Sequence, residues 1–465
     1  MKNNNSPSIE VGIVSGPTIR FTLKGNYYLT GAEPSRDFLQ KKIEERTSQE
    51  SSTYEAVLID GSIALIQGEQ TLFTGNVLWM KPSGPPQADR FLLHEVVIGI
   101  GFHWEQKEDQ EFLGTLKLMV LENRIQAVNV IPVEEYLVSV ISSEMRGDSS
   151  PELLKAHTII SRSWLLAQIE KHQNLVQAEQ EYQAIQRKEG ELIRWYDRED
   201  HQGFHVCADD HCQRYQGITR AYNPQVEQAV RETAGQVLVY GGNICDARFS
   251  KCCGGVTETF ESCWEPVPHP YLQRVDDNPA SAPVNGEDLT IESNAIRFIR
   301  ETPGAFCNTS DSRLLRQVLN DYDQDSPDFF RWQVTYSQEE LRNLIRERSG
   351  IDFGAILDLV PVERGTSARL IRLRIVGEKQ TMVVGKELEI RRWLSRSHLY
   401  SSAFVVEKGA TVGGIPERFT LHGAGWGHGV GLCQIGAAVM ADREYAYREI
   451  LEHYFVGAKI ENQYV

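Results

Sequence analysis

Glu144 is the residue whose surroundings most clearly suggest chemistry. It lies in the segment Val-Ile-Ser-Ser-Glu-Met (140–145), between apolar residues at helical spacing and a glycine turn. A carboxyl group beside apolar neighbours is poorly solvated as an anion, so its pKa should rise and it could donate a proton near neutral pH. The segment therefore predicts a general acid. The alternative interpretation is an exposed glutamate near a helix end.

A second candidate is the glycine-rich segment 423–436, Gly-Ala-Gly-Trp-Gly-His-Gly-Val-Gly-Leu-Cys-Gln-Ile-Gly. Glycine is unfavourable inside helices and strands, but it allows positive φ and close approach of a ligand to the backbone. The segment favours a sugar ring stacked on Trp426, with His428 as a hydrogen-bond partner. The alternative is a structural turn with a core-filling tryptophan and a satisfied histidine. The further candidate contacts here are Gly427, Gly429 and Gln434.

Residues 201–212 contain three histidines and two cysteines within twelve positions. Zinc prefers four sulfur and nitrogen ligands in a tetrahedral arrangement, and a single loop can supply them. The predicted ligands are His201, Cys207, His211 and Cys212, and His205 could take the place of His201. The alternative is a turn with free thiols. A structural and a catalytic zinc differ in whether a fourth position stays open, which the spacing does not decide.

The segment 250–255, Ser-Lys-Cys-Cys-Gly-Gly, is the fourth candidate. A Gly-Gly turn after a strand can present backbone N–H groups to a ligand, so Ser250, Gly254 and Gly255 are predicted substrate contacts. Cys252 and Cys253 are expected to be buried free thiols rather than ligands or nucleophiles.

The composition narrows the class of protein. A chain of 465 residues is too long for one ordinary core, so two or three domains are expected. The net charge of −16 argues against a nucleic-acid partner. No apolar run reaches the length of a transmembrane helix, and the polar start of the sequence does not resemble a signal peptide. Eight dispersed cysteines do not suggest a disulfide scaffold.

The elements that must position these residues indicate an α+β fold. Short alternating runs predict a β-rich region over residues 1–130, ending in a hairpin at 115–130. Helical spacing follows from Val133 and again from Leu153 to Leu165, and a final helix is expected over 434–441. We therefore predict a catalytic domain over 131–465. It carries insertions near 170–200, where 179–199 reads as a charged helix, and near 277–330.

Together these segments resemble the SpoIID/LytB family, named for a stage II sporulation protein and an amidase enhancer. The resemblance begins near Val130-Ile-Pro-Val-Glu-Glu-Tyr and continues through Pro151–Trp164. It returns at 209–217, 249–255, 332–344 and 401–404, and it includes the glycine-rich segment. No single motif decides the matter, but their shared order is highly specific.

The resemblance implies a lytic transglycosylase that cleaves peptidoglycan glycan strands lacking stem peptides. It implies that Glu144 is the catalytic glutamate and that the 201–212 cluster is the zinc site known in some members. Lys155 and Arg162 match helix residues of the family, and we take Arg162 as a candidate substrate contact. An amidase partner and a location in the cell envelope or periplasm are also implied. The latter conflicts with the missing export signal, so a cytoplasmic location stays open.

Two other functions are compatible with the sequence. The protein could bind glycan without cleaving it and stimulate a separate amidase, in which case Glu144 would only contact sugar. It could also be a hydrolase that uses Cys433 with His428, or a water activated by zinc. Cys433, Cys252 and Cys253 stand where the family usually has small hydroxyl residues, which puts substrate contacts there in question.

Overall fold

The structure is a computed structural model of the whole chain. It describes residues 6–31, 41–43, 53–84, 88–99, 106–146, 149–178, 184–196, 201–209, 212–219, 223–280, 287–318 and 328–464. The predicted α+β class is confirmed. In the described residues no helix combines the length and the apolar character needed to cross a bilayer.

The helices, in chain order, are α1 (Val133–Glu144), α2 (Pro151–Ala178), α3 (Pro224–Glu232), α4 (Glu292–Arg300), α5 (Ser312–Val318), α6 (Gln338–Ser349), α7 (Glu387–Trp393), α8 (Gln434–Asp442) and α9 (Tyr447–Tyr454). The strands up to residue 132 are β1 (Ser8–Gly16), β2 (Thr18–Lys24), β3 (Tyr27–Thr30), β4 (Lys41–Ile43), β5 (Thr53–Ile59), β6 (Ser62–Gln67), β7 (Gln70–Gly75), β8 (Val77–Pro82), β9 (Arg90–Ile98), β10 (Gln106–Leu113), β11 (Thr115–Leu121) and β12 (Arg124–Pro132). The later strands are β13 (Ile185–Lys188), β14 (Glu191–Arg194), β15 (Val206–Cys207), β16 (Gln236–Tyr240), β17 (Asn243–Ile244), β18 (Phe249–Ser250), β19 (Arg331–Ser337), β20 (Ile356–Arg364), β21 (Leu370–Gly377), β22 (Thr381–Gly385), β23 (Phe404–Lys408), β24 (Thr411–Val412), β25 (Ile415–Pro416), β26 (Arg418–Ala424), β27 (Leu432–Cys433) and β28 (Lys459–Asn462).

The chain forms two compact units. Unit 1 comprises Met1–Gly147, Asp200–Gln236 and Asn462–Val465, and unit 2 comprises Asp148–Glu199 and Val237–Glu461. This grouping differs from the predicted boundary after residue 130. Unit 1 continues past it because β12 leads directly into α1, and because residues of the 201–212 segment pair with β1.

Unit 1 is built on two sheets. One has the strand order β15-β1-β12-β11-β8-β3-β4, and the other has the order β10-β9-β2-β5-β6-β7. The alternating apolar residues of these strands form the core, and β11 and β12 make the hairpin that the sequence predicts. Strand β1 lies between β12, with which it is antiparallel, and β15, with which it is parallel. This strand therefore connects the start of the chain to the 201–212 segment.

Helix α1 follows β12 without a loop. Pro132 precedes its first turn, where a fixed φ suits a helix start. The apolar residues of α1 recur at three- and four-residue spacing, so one face is buried while the opposite face keeps partly exposed positions. The buried apolar residues of this face are Val133, Leu137, Val140 and Ile141.

Unit 2 combines a mixed sheet of order β13-β14-β22-β21-β20 with an antiparallel sheet of order β19-β26-β23. Aromatic and aliphatic residues of α6, α7 and these strands form an apolar core, which includes Trp332, Trp393 and Phe404. Helix α2 contacts α8 and α9 within the same unit. The predicted helix at 434–441 is confirmed as α8.

The prediction of a charged helix over 179–199 is wrong for the described part of that segment. Residues 185–194 form the hairpin β13–β14, which turns at Gly190 with φ of 69°. Strand β14 joins β22 in parallel and buries Leu192 and Ile193. Charged residues at helical spacing are outweighed here by a glycine turn and by the burial of two apolar side chains.

Candidate functional site

Glu144 is the last residue of α1 and is partly buried. The C-terminal end of a helix carries a partial negative charge, so this carboxyl group lies at the negative end of the α1 dipole. Part of the Glu144 side chain is therefore accessible to solvent at the end of a largely buried helix. Ser143, its neighbour, is buried, and its hydroxyl has no hydrogen-bond partner among the described residues.

The N-terminal half of α1 is held in place by buried polar contacts. Glu134 accepts hydrogen bonds from the Tyr464 hydroxyl at 2.7 Å and from the Gly235 N–H at 3.2 Å. Further along the helix, the Ser139 hydroxyl accepts from the Gln216 N–H at 3.2 Å. Contacts from three distant parts of unit 1 thus fix the direction in which α1 presents Glu144.

Three of the predicted metal ligands come together beside α1. The ligand atoms of His201, Cys207 and Cys212 all lie within 4.8 Å of one another. The His201 Nε2 is 3.2 Å from the Cys212 sulfur, which also accepts from the Cys207 N–H at 3.4 Å. One imidazole and two thiols at this spacing are a donor set that fits zinc. His211, the fourth predicted ligand, lies outside the described residues.

His205, the alternative ligand, is occupied by strand β1. Its Nδ1 accepts a hydrogen bond from the Glu10 N–H at 3.0 Å, and the backbone N–H of His205 donates to the Glu10 carbonyl at 2.9 Å. A Cβ at Gly12 would meet the Phe204 ring at 2.6 Å, so only glycine lets this ring pack against β1. Phe204 in turn stacks on His201, with ring centroids 4.9 Å apart. The geometry thus favours His201 over His205 as the ligand.

Tyr136 connects α1 with the cysteine-containing loop. Its ring stacks on Tyr215 with centroids 5.0 Å apart, and it is fully buried. Burial raises the pKa of Tyr136 far above its ordinary value, with smaller contributions from Cys212, Cys207, Tyr215 and Glu144. The phenol is therefore within electrostatic range of both the cluster and the candidate acid. In unit 1, the cysteines of the cluster and Glu144 thus all act on the pKa of this one side chain.

In unit 2, the glycine-rich segment is bound to the 252–255 turn. Trp426 and Cys252 exchange two backbone hydrogen bonds, of 2.8 and 3.0 Å. The Trp426 ring lies between Phe329 and Tyr400, with centroid distances of 4.5 and 4.4 Å, and remains partly exposed. The tryptophan therefore belongs to an aromatic cluster, and its exposed part remains available for sugar stacking.

A buried arginine organises the glycine-rich segment. Arg369, 1% exposed, donates to the Gly427 carbonyl from Nε at 3.2 Å and from Nη2 at 3.0 Å, and to the Cys253 carbonyl from Nη1 at 3.2 Å. A Cβ at Gly429, where φ is 80°, would lie 2.4 Å from the guanidinium carbon. Gly429 is therefore required by the close approach of this side chain.

The charge of Arg369 is matched by a buried carboxylate reached through a serine. Arg369 donates to the Ser367 hydroxyl at 2.9 Å, and that hydroxyl donates to Glu258 at 2.6 Å. Glu258 is fully buried and also accepts from Thr366 and Thr259. The backbone N–H of Glu258 donates to the Gly429 carbonyl at 2.9 Å. Both ends of the hydrogen-bonded chain Arg369–Ser367–Glu258, here called the Arg369 relay, therefore hold the glycine-rich segment.

His428 has partners for its ring inside the protein. Its Nδ1 accepts from the Val430 N–H at 3.0 Å, and the ring also bonds to the backbone of Phe249. Burial lowers the pKa of His428 well below its usual range, with the nearby Arg248, Arg391 and Arg369 adding to the effect. The ring is thus neutral at physiological pH. The structure therefore agrees with the alternative interpretation, in which the His428 ring is hydrogen-bonded within the protein. A glycan could contact only the part of the ring that these hydrogen bonds leave accessible.

Several predicted substrate contacts lie in the core instead of at an accessible surface. Arg162 is 0% exposed, and Gln434 is 1% exposed with its amide 3.0 Å from the His157 ring. Gly254 and Gly255 are buried, and a Cβ at Gly254 would lie 2.8 Å from the Gly425 nitrogen. Ser250 is also buried, at 6% exposure. The prediction that these residues contact substrate is therefore not supported, and at Gly254 the reason is the tight packing of the 252–255 turn against the glycine-rich segment.

The buried His157 should make the folding stability of unit 2 depend on pH. Burial, with a contribution from Lys251, lowers the pKa of His157 to about 3, so the unfolded chain takes up this proton before the folded one. The stability contribution is complete above about pH 6.5 and is lost as the pH falls towards 3. We expect the free energy of unfolding to fall by about 3 kcal/mol between pH 6.5 and 4 from this group. Denaturant titrations of wild type and His157→Gln should differ by that amount in their acid dependence, whereas equal slopes would contradict the assignment.

Some residues that organise the site are not apparent in the sequence. Arg369 and Glu258 stand in segments without a recognisable motif, and 111 positions separate them in the chain. Cys307 and Asp277, both buried in unit 2, lie in the region that the sequence analysis treats as a polar insertion. These residues are recognised only because their charged and thiol groups are buried, and burial is known only once the fold is known.

Comparisons with known proteins agree with these features. A family model described as "Stage II sporulation protein" (SpoIID) matches residues 121–240, which include α1, Glu144 and the 201–212 cluster. A second model, described as a domain of unknown function (DUF8618), matches residues 258–431.

Curated relatives extend the similarity along the chain. Stage II sporulation protein D of Bacillus amyloliquefaciens is 23% identical over 342 residues, covering 72% of this chain and 75% of that protein. The protein of the same name in Bacillus subtilis is 22% identical over 338 residues, covering 72% and 76%. An amidase enhancer of Bacillus subtilis is 24% identical over 343 residues, covering 70% of this chain and 40% of its own length. Together with the motifs of α1 and the glycine-rich segment, these matches support the resemblance to the SpoIID/LytB family.

Proposed function

We propose that the protein is a lytic transglycosylase that cleaves the bond between N-acetylmuramic acid and N-acetylglucosamine in peptide-free glycan strands. The observation that carries this proposal is the position of Glu144 at the partly accessible end of α1, within the segment matched by the stage II sporulation family. A locked helix with a carboxyl group at its negative end suits a general acid.

In this mechanism Glu144 protonates the bridging oxygen, and the bond from that oxygen to the muramic C1 breaks. Positive charge develops at C1, as in other glycosyl transfers. The resulting Glu144 carboxylate then takes the proton of the same sugar's 6-hydroxyl, whose oxygen bonds to C1 and closes a 1,6-anhydro ring. The acid is regenerated and no water is consumed, so one carboxyl group serves both steps.

The product distinguishes this function from simple hydrolysis. We expect the purified protein to release fragments with 1,6-anhydromuramic ends from peptide-free glycan strands, detected by mass spectrometry. Fragments with reducing muramic ends, each heavier by one water, would instead indicate a hydrolase. Because Cys433 is 0% exposed, a thiol nucleophile at that position has no access to substrate in this conformation.

A second candidate function is a glycan-binding protein that enhances a separate amidase. The similarity to a protein named amidase enhancer favours it, as does the partly exposed Trp426 beside Tyr400. On this alternative the isolated protein would bind glycan strands without shortening them. The product analysis would then show no shortened strands and no anhydro ends, and adding the protein to a cell-wall amidase would increase the rate of that amidase.

We also propose that His201, Cys207 and Cys212 hold zinc, with His211 as the fourth ligand. When bound, zinc would cross-link the loop beside Tyr136 and so stabilise the support of α1. No step of the proposed reaction passes through the metal.

This zinc site predicts a specific loss of metal. Cys207→Ser should remove one equivalent of zinc from the purified protein and lower its melting temperature, because a tetrahedral site loses a thiolate. His205→Gln is the matched control and should keep the metal, since the Glu10 amide already occupies its Nδ1. Zinc can be quantified with a chromogenic chelator after thiol-specific release. If His205→Gln lost zinc and His201→Gln kept it, the ligand assignment would be reversed.

A further inference from the structure

Four buried side chains in unit 2, far apart in sequence, bring their ligand atoms together. The thiols of Cys253, Cys307 and Cys433 and a carboxylate oxygen of Asp277 all lie within 4.8 Å of one another. Their exposures are 2%, 1%, 0% and 0%. Apolar packing does not account for an acid enclosed by three thiols, because a buried carboxylate is costly unless it is both hydrogen-bonded and paired with a cation.

The surrounding backbone is arranged to support negative charge on this group. The Cys433 sulfur accepts from the Cys253 N–H at 3.2 Å and from the Gly436 N–H at 3.4 Å, at the first turn of α8. Asp277 accepts from the Cys307 N–H and from the Tyr454 hydroxyl, each at 2.7 Å. Such hydrogen bonds orient and stabilise thiolate and carboxylate ligands in metal sites.

The geometry also fits a tetrahedral ion. Zinc–sulfur bonds of about 2.3 Å imply a sulfur–sulfur separation of roughly 3.8 Å along a tetrahedral edge. The sulfur atoms of Cys253 and Cys307 are 3.6 Å apart, close to that value and well beyond the bond of about 2.05 Å in a disulfide. Three sulfurs and one oxygen complete the four positions, so no position remains open for substrate or water.

We propose that Cys253, Cys307, Cys433 and Asp277 form a closed structural zinc site. The site ties four segments together: the 250–255 turn, the loop around Asp277, the loop between α4 and α5, and the start of α8. Cys433 lies at the end of the glycine-rich segment, so the ion would fix that segment next to the Arg369 relay. The expectation that Cys253 is a plain buried thiol is revised by this proposal, which does not depend on the proposed catalytic function.

Metal stoichiometry tests the proposal in the full-length protein. We expect two equivalents of zinc in wild type and one in Cys307→Ser and in Asp277→Asn, with the 201–212 cluster keeping its own ion. Cys245→Ser is the matched control, because Cys245 is equally buried in unit 2 but stands outside the group. It should keep two equivalents. Transglycosylase activity plays no part in this readout, so failure of the catalytic proposal would not affect it.

A second measurement covers the case in which the substitutions prevent folding. Cys207→Ser leaves the four residues intact and should retain one zinc, which cobalt can replace to give the intense visible absorption of a tetrahedral thiolate site. The proposal would be overturned if Cys207→Ser contained no zinc, because all the zinc of the wild-type protein would then belong to the 201–212 cluster. A metal-free protein with a Cys253–Cys307 disulfide, seen as a mass lower by two hydrogens, would overturn it as well.

Discussion

Glu144→Gln should reduce the rate of glycan-strand cleavage by at least about 100-fold, and up to about 10,000-fold. The amide has nearly the same shape as the acid but cannot donate the proton to the bridging oxygen or accept one from the 6-hydroxyl. Because α1 is held by Glu134, Ser139 and Tyr136, the substitution at its last residue should leave the fold and glycan binding unchanged. The rate of anhydro-end formation on purified peptide-free strands is the measurement.

Glu135→Gln provides the matched control for this prediction. Glu135 lies on the same helix, is exposed, and loses the same charge on substitution. It should retain the wild-type rate, whereas the Glu144 variant should bind strands in a pull-down without shortening them. A Glu144→Gln protein that cleaves at the normal rate would remove the basis of the proposed mechanism.

Arg369→Met should cost about 3–5 kcal/mol of folding free energy, because it removes one member of a buried charge network. Without the guanidinium, the Gly427 and Cys253 carbonyls lose their donors, and the charge of Glu258 is left without its counterpart. The glycine-rich segment should then lose its fixed conformation. Chemical denaturation followed by tryptophan fluorescence measures the loss, since Trp426 belongs to the affected segment.

Arg342→Met is the control for Arg369→Met. Arg342 is exposed on α6 in the same unit, and its removal should change the unfolding free energy by less than about 0.5 kcal/mol. Arg369→Lys should lie between the two, because an ammonium can replace one of the bonds to the carbonyls but not the planar set. Equal stability of Arg369→Met and wild type would show that the relay through Ser367 contributes nothing to the fold.

The parts of the fold that sequence predicts well are those set by local patterns. The helical spacing from Val133, the hairpin before it and the helix after Cys433 all appear as expected. Three of the four predicted ligands in residues 201–212, namely His201, Cys207 and Cys212, also converge because a single loop carries them. A short stretch of chain is enough to define such features, since turn chemistry and apolar periodicity act over a few residues.

Features that depend on distant segments could not be predicted. Arg162 and Gln434 look like surface contacts in a motif, but the packing of α2 against α8 buries both. Cys253, Cys307 and Cys433 are separated by 54 and 126 positions, so nothing in the local sequence indicates that they meet. The hairpin at 185–194 was misjudged because β22, its parallel neighbour, lies almost 190 residues later. Each of these cases is decided by tertiary packing and not by propensity.

The bond between Tyr464 and Glu134 has a consequence for how the protein is made. Helix α1 leaves the ribosome more than 300 residues before the tyrosine that anchors it, and the Gln463 N–H donates to the Gly235 carbonyl, 228 positions earlier in the chain. During translation, α1 can therefore form its contacts with Gln216 and Gly235 long before residue 464 is made. A chain shortened before Tyr464 would lack the hydroxyl that donates to Glu134, so the start of α1, and with it the proposed acid, would be held less firmly.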